Sequence, residues 1–241
     1  MKKLTLLIGF AFSLLGMSAQ SVKESKRIMK VSYESSALSP NMVSLLKKHI
    51  TSPEMYKQTV GLLEKHIYYY SLYVDLDNME SAYVLDSIHS QPGVAAVGQV
   101  NEVYTDNKDN YWGAEEFVGS KSHFNGNLSD IKWNATTEEK EIAGHKCIKM
   151  TTEDHKDIEA WVCTDITVNR GPGYLQHSIG LVFEASDFFS TTSIRRIDYI
   201  SGSDVIRKVK QELLSMKFIT IKEELSLKDN IIRTMQIDNG Q

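Results

Sequence analysis

The residues best suited to chemistry in this sequence are a histidine and two cysteines that lie close together along the chain. His145 precedes Cys147 by two positions, and Cys163 follows in the next predicted strand. An imidazole and two thiolates can bind zinc or copper. In an oxidising compartment the same cysteines would instead pair with each other. The export signal described below favours the second interpretation, and we predict a Cys147–Cys163 disulfide.

The register of the surrounding strands supports this pairing. Residues 146–152 and 158–164 have the composition of strands and flank a short polar loop. An antiparallel hairpin that opposes apolar residues along one face sets Cys147 directly against Cys163. Opposed residues have Cβ atoms about 4.5–5.5 Å apart, which is near the separation that a disulfide requires.

Patterns of known catalytic sites do not occur in the sequence. It contains no His-Glu-x-x-His, no Cys-x-x-Cys and no Gly-x-Ser-x-Gly. His177 and Ser178 are adjacent without an elbow turn, and the carboxylates within 106–116 lack the spacing of an EF-hand loop. The run Gly171-Pro172-Gly173 predicts a type II turn and not a phosphate-binding loop. We therefore predict a protein that is not an enzyme and that holds no metal or cofactor.

The first 20 residues show the three parts of a secretory signal. Lys2 and Lys3 precede an apolar run at 4–15, and small and polar residues follow as far as Gln20. The run is shorter than the roughly 20 apolar residues of a membrane-spanning helix. We predict a signal peptide at 1–20 and an exported mature chain at 21–241, periplasmic or extracellular. Since no cysteine follows the run, we expect no lipoprotein, and no later run is long enough to cross a membrane.

The charge balance limits the possible partners. The chain has 27 basic and 31 acidic side chains, a net charge of −4. Binding nucleic acid requires clustered positive charge, so this class of partner is excluded. The hydrophobic fraction of 41% suffices for a globular core. We predict a single domain over 21–241, with roughly the last 12 residues loose.

The hydrophobic pattern predicts a mainly β fold of the α+β class. We expect roughly nine or ten antiparallel strands in a single curved sheet, with a half-barrel as the alternative, and two or three helices covering one face. The run at 179–183 predicts a buried strand in which Gly180 marks a bulge or a close backbone approach. The mixed pattern at 193–200 predicts an edge strand protected by its arginines. Ser52 before Pro53 predicts the start of a covering helix, and 94–98 a loop.

Four segments between residues 133 and 184 follow the order of a family motif: a tryptophan, a Gly-x-x-Cys strand, a tryptophan strand, and a Gly-Pro turn before a Gly-Leu-Val run. The residues that carry it are Trp133, Gly144, Cys147, Trp161, Gly171, Pro172, Gly180, Leu181 and Val182. This order resembles the GLPGLI family of secreted proteins from Bacteroidetes. Ser178 and Ile179 stand where that family has Leu and Pro. The resemblance implies a secreted protein with a shared motif and no established activity.

Two functions are compatible with these features. The first is a module that docks on another envelope or outer-membrane protein through an exposed apolar or aromatic patch. The second is a periplasmic carrier that holds an apolar or lipid-like ligand in a curved sheet. A tyrosine cluster at 68–83 could form such a patch, but cross-strand packing is its more ordinary role. We predict the docking module.

Overall fold

The computed structural model describes residues 27–91, 98–117 and 119–237. The predicted signal peptide at 1–20 and most of the predicted loop at 94–98 lie outside these residues. The described strands are Arg27–Ser36 (β1), Ile67–Asp75 (β2), Ser81–His89 (β3), Gly98–Thr105 (β4), Asn110–Phe117 (β5), Ser120–Asn127 (β6), Trp133–Ile142 (β7), His145–Thr152 (β8), Glu159–Cys163 (β9), Leu181–Ser186 (β10), Thr191–Ser201 (β11) and Ile219–Thr220 (β12). The described helices are Pro40–His49 (α1), Pro53–Leu63 (α2), Val205–Leu213 (α3) and Ile221–Ile237 (α4).

These strands form one open sheet in the order β12-β6-β5-β4-β3-β2-β1-β11-β10-β9-β8-β7. The first six strands make one antiparallel meander and β7 to β11 a second, and the meanders join where β1 pairs with β11. Only the short β12 pairs in parallel among the described strands, with β6. The mainly β fold with one large antiparallel sheet is confirmed, and the sheet is not closed into a barrel. It has more strands than expected, because the charged β7 and the two-residue β12 carry little apolar pattern.

The two faces of the sheet carry separate cores. Alternation along β1 places Met29 and Val31 in the larger core and Ile28 in the smaller one. α4 covers the larger core with Ile221 and Leu225, and α3 covers the smaller one with a stripe of three buried residues: Ile206, Val209 and Leu213. The expectation that the helices cover one face is therefore wrong, because helices pack on both.

The strand expected at the edge lies inside the sheet. β11 is flanked by β1 and β10, and its register against β1 shifts by one residue at Arg195. This bulge interrupts the alternation, so that Ile194 and Ile197 both contact the larger core while Arg195 and Arg196 stay exposed. The mixed pattern is thus the mark of a bulge and not of an edge.

The end of the described chain is helical where we expected it to be loose. α4 continues to Ile237, and residues 238–241 lie outside the described part. Ile232 is buried near the end of the helix, with Ile231 and Met235 packed against the same small cluster as Phe188. Apolar contact on this last stretch explains why the helix does not stop earlier.

The disulfide and its register are confirmed. Cys147 and Cys163 are bonded, and β8 pairs with β9 in the predicted register. The predicted buried strand is confirmed as β10, whose first three residues are fully buried. A Cβ added at Gly180 would lie 2.3 Å from the carbonyl oxygen of Cys163, which is the close backbone approach expected there.

Candidate functional site

The segment between β9 and β10, residues 164–180, is packed against the sheet. Its residues 170–177 are buried, and Tyr174 and Leu175 belong to the larger core. Gly173 has φ +61°, as the predicted type II turn requires. A Cβ at Gly171 would lie 2.4 Å from the carbonyl oxygen of Leu175, so only glycine fits there. This segment and α4 meet over the same part of the sheet.

α4 carries a lysine on its buried side. Thr220 and Glu223 form a capping box at its start, with the Glu223 carboxylate 2.7 Å from the Thr220 backbone nitrogen. The buried positions of the helix then recur at helical spacing, and two of them are charged: Ile221, Glu224, Leu225, Lys228 and Ile232. The helical repeat therefore places the Lys228 side chain on the side of α4 that faces the sheet.

β5 supplies the acid that pairs with this lysine. Alternation along β5 buries Glu115 on the same face as Tyr111 and Phe117. Lys228 Nζ lies 2.8 Å from Glu115 Oε2, and the Glu115 side chain is only 3% exposed. Burial raises the pKa of Glu115 to about 7, although Lys228 opposes this shift.

Aromatic rings surround the ammonium group of Lys228. Its Nζ lies 4.9 Å from the ring centroid of Tyr174 and 5.6 Å from that of Phe117. Burial alone would lower the pKa of Lys228, but Tyr174 and Glu115 raise it above its ordinary value. Lys228 is therefore charged, and it joins α4, the 164–180 segment and β5 at one point.

A small cleft opens beside this pair. Its volume is about 50 Å³, which is room for a few water molecules. Six aromatic rings line it: Tyr68, Tyr70, Tyr83, Phe117, Tyr174 and Phe189. Tyr70 and Tyr83 stack with ring centroids 4.7 Å apart, which confirms that the tyrosine cluster serves cross-strand packing. We call this space, with Glu115 and Lys228 on its wall, the aromatic cleft.

Most of the family-motif residues named in the sequence analysis do not line the aromatic cleft. Pro172 does line it, next to Gly173 of the same turn. The indole of Trp161 lies outside it, 4.2 Å below the Lys140 ammonium. Trp133 packs against His177 with ring centroids 5.6 Å apart, and Gly144 forms the β7–β8 turn with φ +82°. The motif is thus largely architectural.

His177 is a buried, neutral side chain. Burial lowers its pKa to about 4, and its Nδ1 accepts a hydrogen bond from the Ile179 backbone N–H at 3.1 Å. The adjacent Ser178 is exposed. The two side chains are therefore not arranged as a nucleophile and its base.

Arg170 is a buried residue that sequence reasoning did not single out. Its guanidinium donates to the Ser81 hydroxyl at 3.0 Å and to Asp109 at 2.9 Å. It also donates to three backbone carbonyls: Asn169, Met79 and Asp106. These bonds tie the 164–180 segment to the β2–β3 and β4–β5 turns. No sequence pattern indicated them, whereas Lys228 could have been found from its helical spacing to Ile221, Leu225 and Ile232.

α2 leaves two of its large apolar side chains exposed and the other three, Tyr56, Val60 and Leu63, half-buried. None of its residues is buried, and Met55 is 58% and Leu62 46% exposed. Ser52 caps the helix as predicted, accepting from the Met55 backbone N–H at 3.3 Å. The expectation that α2 covers the sheet is wrong, because its amphipathic face has no core beneath it.

The possible metal site is overturned by the disulfide, since neither sulfur remains a thiolate. His145 instead bonds Asp165, with Nδ1 2.7 Å from Oδ2. Within the part of the chain that the structure describes, no group of three metal-ligating side chains comes together. None of the helices over those residues has the length and apolar content that crossing a bilayer requires.

No family model matches the chain, and no curated protein matches it. Two crystal forms of PNGF-II are similar to it at 15% and 16% identity, with TM-scores of 0.44 and 0.46. The matches cover 74% and 80% of this chain but only 29% and 30% of PNGF-II. An uncharacterized conserved protein from Thermus thermophilus is similar at 4% identity and a TM-score of 0.35, over 81% of this chain and 91% of that one. Similarity this low carries no information about activity.

Proposed function

We propose that the protein is a docking module without chemistry of its own, which binds another exported or outer-membrane protein through α2. The observation that carries the proposal is the unburied apolar face of this helix. Met55 and Leu62 are seven residues apart, two helical turns, so they lie on the same face. Exposed apolar side chains on one face of a formed helix are the usual anchors for a groove in a partner.

The charges around α2 are compatible with a protein partner. Glu54, Lys57, Glu64 and Lys65 are all exposed on α2 or directly after it, two of each sign. Such mixed charge suits the polar surface around an apolar groove in a protein partner. The Ser52 cap holds the helix before binding, which reduces the entropy lost on association.

The carrier alternative has less support. A ligand-binding pocket for an apolar molecule usually has about 300–1,000 Å³, and the aromatic cleft has about 50 Å³. A larger groove of about 620 Å³ beside β1 and β11 is open to solvent, and its wall holds Glu34, Arg195 and two serines. Neither space suits a lipid.

A photo-crosslinking experiment in the native envelope tests the docking proposal. A benzophenone amino acid at position 55 should give a discrete protein adduct, while the same group at position 227 should not. Leu227 is a matched control, because it is 54% exposed on α4. Met55→Ser with Leu62→Ser should weaken capture of that partner by about tenfold or more. A lipid that copurifies, with no adduct from position 55, would contradict the proposal.

We also propose that the chain is exported and is a divergent member of the GLPGLI family. The Cys147–Cys163 disulfide supports export, because structural disulfides persist in oxidising compartments. The packing of the Gly171-Pro172 turn against β10 gives the family motif a structural role. Mass spectrometry of the secreted protein would test export by the position of its first residue.

We also propose that the sheet curves as a half-barrel. Contacts from the 164–180 segment to both meanders, such as Tyr174 with Phe124, support this shape.

A further inference from the structure

Two acidic side chains and one lysine meet under α4 with too few hydrogen-bond donors. Glu115 Oε2 accepts from Lys228 at 2.8 Å. The other oxygen of Glu115 and one oxygen of Glu224, Oε2, are buried and accept no hydrogen bond. A carboxylate only accepts, so two carboxylates cannot satisfy each other unless one of them carries a proton. Leaving both buried oxygens unpaired would be costly.

We propose that Glu115 carries a proton that it donates to the unpaired oxygen of Glu224, and that loss of this proton releases α4 from the sheet and opens the aromatic cleft. With the proton, the two carboxyls carry one negative charge, which the Lys228 ammonium balances. Without it, the group has a net negative charge on side chains that are at most 10% exposed. An unbalanced buried charge is strongly unfavourable. The contact of the helix with the sheet is therefore neutral with the proton and carries an unbalanced negative charge without it.

The other groups that face α4 do not compensate the second negative charge. His155 on the β8–β9 loop lies 3.4 Å from Asp229 of α4, away from Glu115. The remaining groups that face the helix or the cleft are acids and phenols: Asp157, Tyr174, Asp187, Tyr68, Tyr70 and Tyr83. Burial, Asp229 and Asp187 raise the pKa of Asp157, as expected for an acidic surrounding. Lys228 is thus the one cation on the wall of the cleft among the described residues.

The direction of the pH effect follows from the same contacts. The pKa of Glu115 is raised by burial from 4.5 to about 7, and the neighbouring carboxyl of Glu224 adds to the rise. The docked state therefore binds more protons than the released state between these values. Docking of α4 is complete at acid pH and weakens as the pH rises through 7.

Release would change what the molecule presents to its surroundings. Lys228 forms part of the wall of the aromatic cleft, and Leu225 and Ile232 close a neighbouring space with Phe188 and Phe189. Withdrawal of α4 would expose these rings together. An exported protein meets the pH of its environment directly, so this helix would act as a proton-controlled cover. The proposal does not rest on the function proposed for α2.

Hydrogen exchange of the full mature chain at pH 5.5 and pH 8.5 tests it, with peptides from the β8–β9 hairpin as the internal reference. The intrinsic exchange rate rises by the same factor in both regions between these pH values. The ratio of their protection therefore reports the change in α4 alone. Protection of α4 relative to the hairpin should fall by roughly 10- to 30-fold in the wild type. In Glu224→Gln the amide can donate to Glu115 without titrating, and the fall should shrink to less than about twofold.

Glu212→Gln is the matched control, an exposed carboxyl on α3 that should leave the wild-type fall intact. Constant protection of α4 in the wild type would overturn the proposal. An equal fall in wild type and Glu224→Gln would also overturn it, because the shared proton would not be the cause. Constant protection in the wild type would overturn the proposal even if Glu224→Gln folds poorly.

Discussion

The β8–β9 hairpin and the contact of α4 with β5 are each held by one strong cross-link, and the two differ in how the sequence encodes them. Cys147 and Cys163 are joined within one hairpin by a covalent bond that does not titrate. Lys228 and Glu115 are 113 residues apart and joined by a hydrogen bond between two ionisable side chains. A short hairpin can thus be predicted from register, while a buried ion pair between distant elements leaves only a weak mark in the sequence.

The largest effect is expected in β10, which packs against the disulfide hairpin. Leu181 is fully buried, so Leu181→Ala should cost about 2–5 kcal/mol of unfolding free energy through the cavity it leaves. Ile179→Ala is the matched control, since Ile179 lies two residues earlier and is 49% exposed. Urea unfolding measures the unfolding free energy of both variants. A loss below about 0.5 kcal/mol for Leu181→Ala would mean that β10 is a surface strip and not core.

Removal of the disulfide should have the next largest effect. Cys147→Ala with Cys163→Ala should lower the unfolding free energy by about 3 kcal/mol, because the bond closes a loop of about 15 residues. The loss should be the same at pH 5 and pH 8, since no titrating group takes part. If the loss of unfolding free energy in this variant changed with pH, the hairpin would not be the pH-independent region that we contrast with α4.

The sequence predicted the parts of the fold that depend on local pattern. The hairpin register, the buried β10, the Ser52 cap and the close approach at Gly180 each follow from residues within a few positions of one another. The position of β11 inside the sheet could not be predicted, because a bulge at Arg195 hides its alternation. Only the pairing with β1, far away in the chain, identifies it as interior.

The candidate site depended on contacts between distant segments. Glu224 and Lys228 both fall among the buried positions of α4, and charged residues in that pattern were a usable signal that the helix faces other polar groups. Nothing in the sequence named Glu115 as the partner of Lys228, because β5 has a second carboxylate at the adjacent Glu116. Arg170 gave no signal at all, since its acceptors lie in two turns some 60 to 90 residues earlier. Only the three-dimensional packing shows which residues pair with Lys228 and Arg170.

The pH dependence of stability in wild type and Glu115→Gln tests the central contrast most directly. The glutamine can accept from Lys228 and donate to Glu224, so it retains the contacts of Glu115 without its proton. Because the folded pKa of about 7 exceeds the unfolded value of 4.5, Glu115 contributes stability at acid pH that is lost as the pH rises. In urea unfolding, wild type should lose about 2 kcal/mol relative to Glu115→Gln between pH 5 and pH 8. Parallel stability profiles over that range would contradict the account.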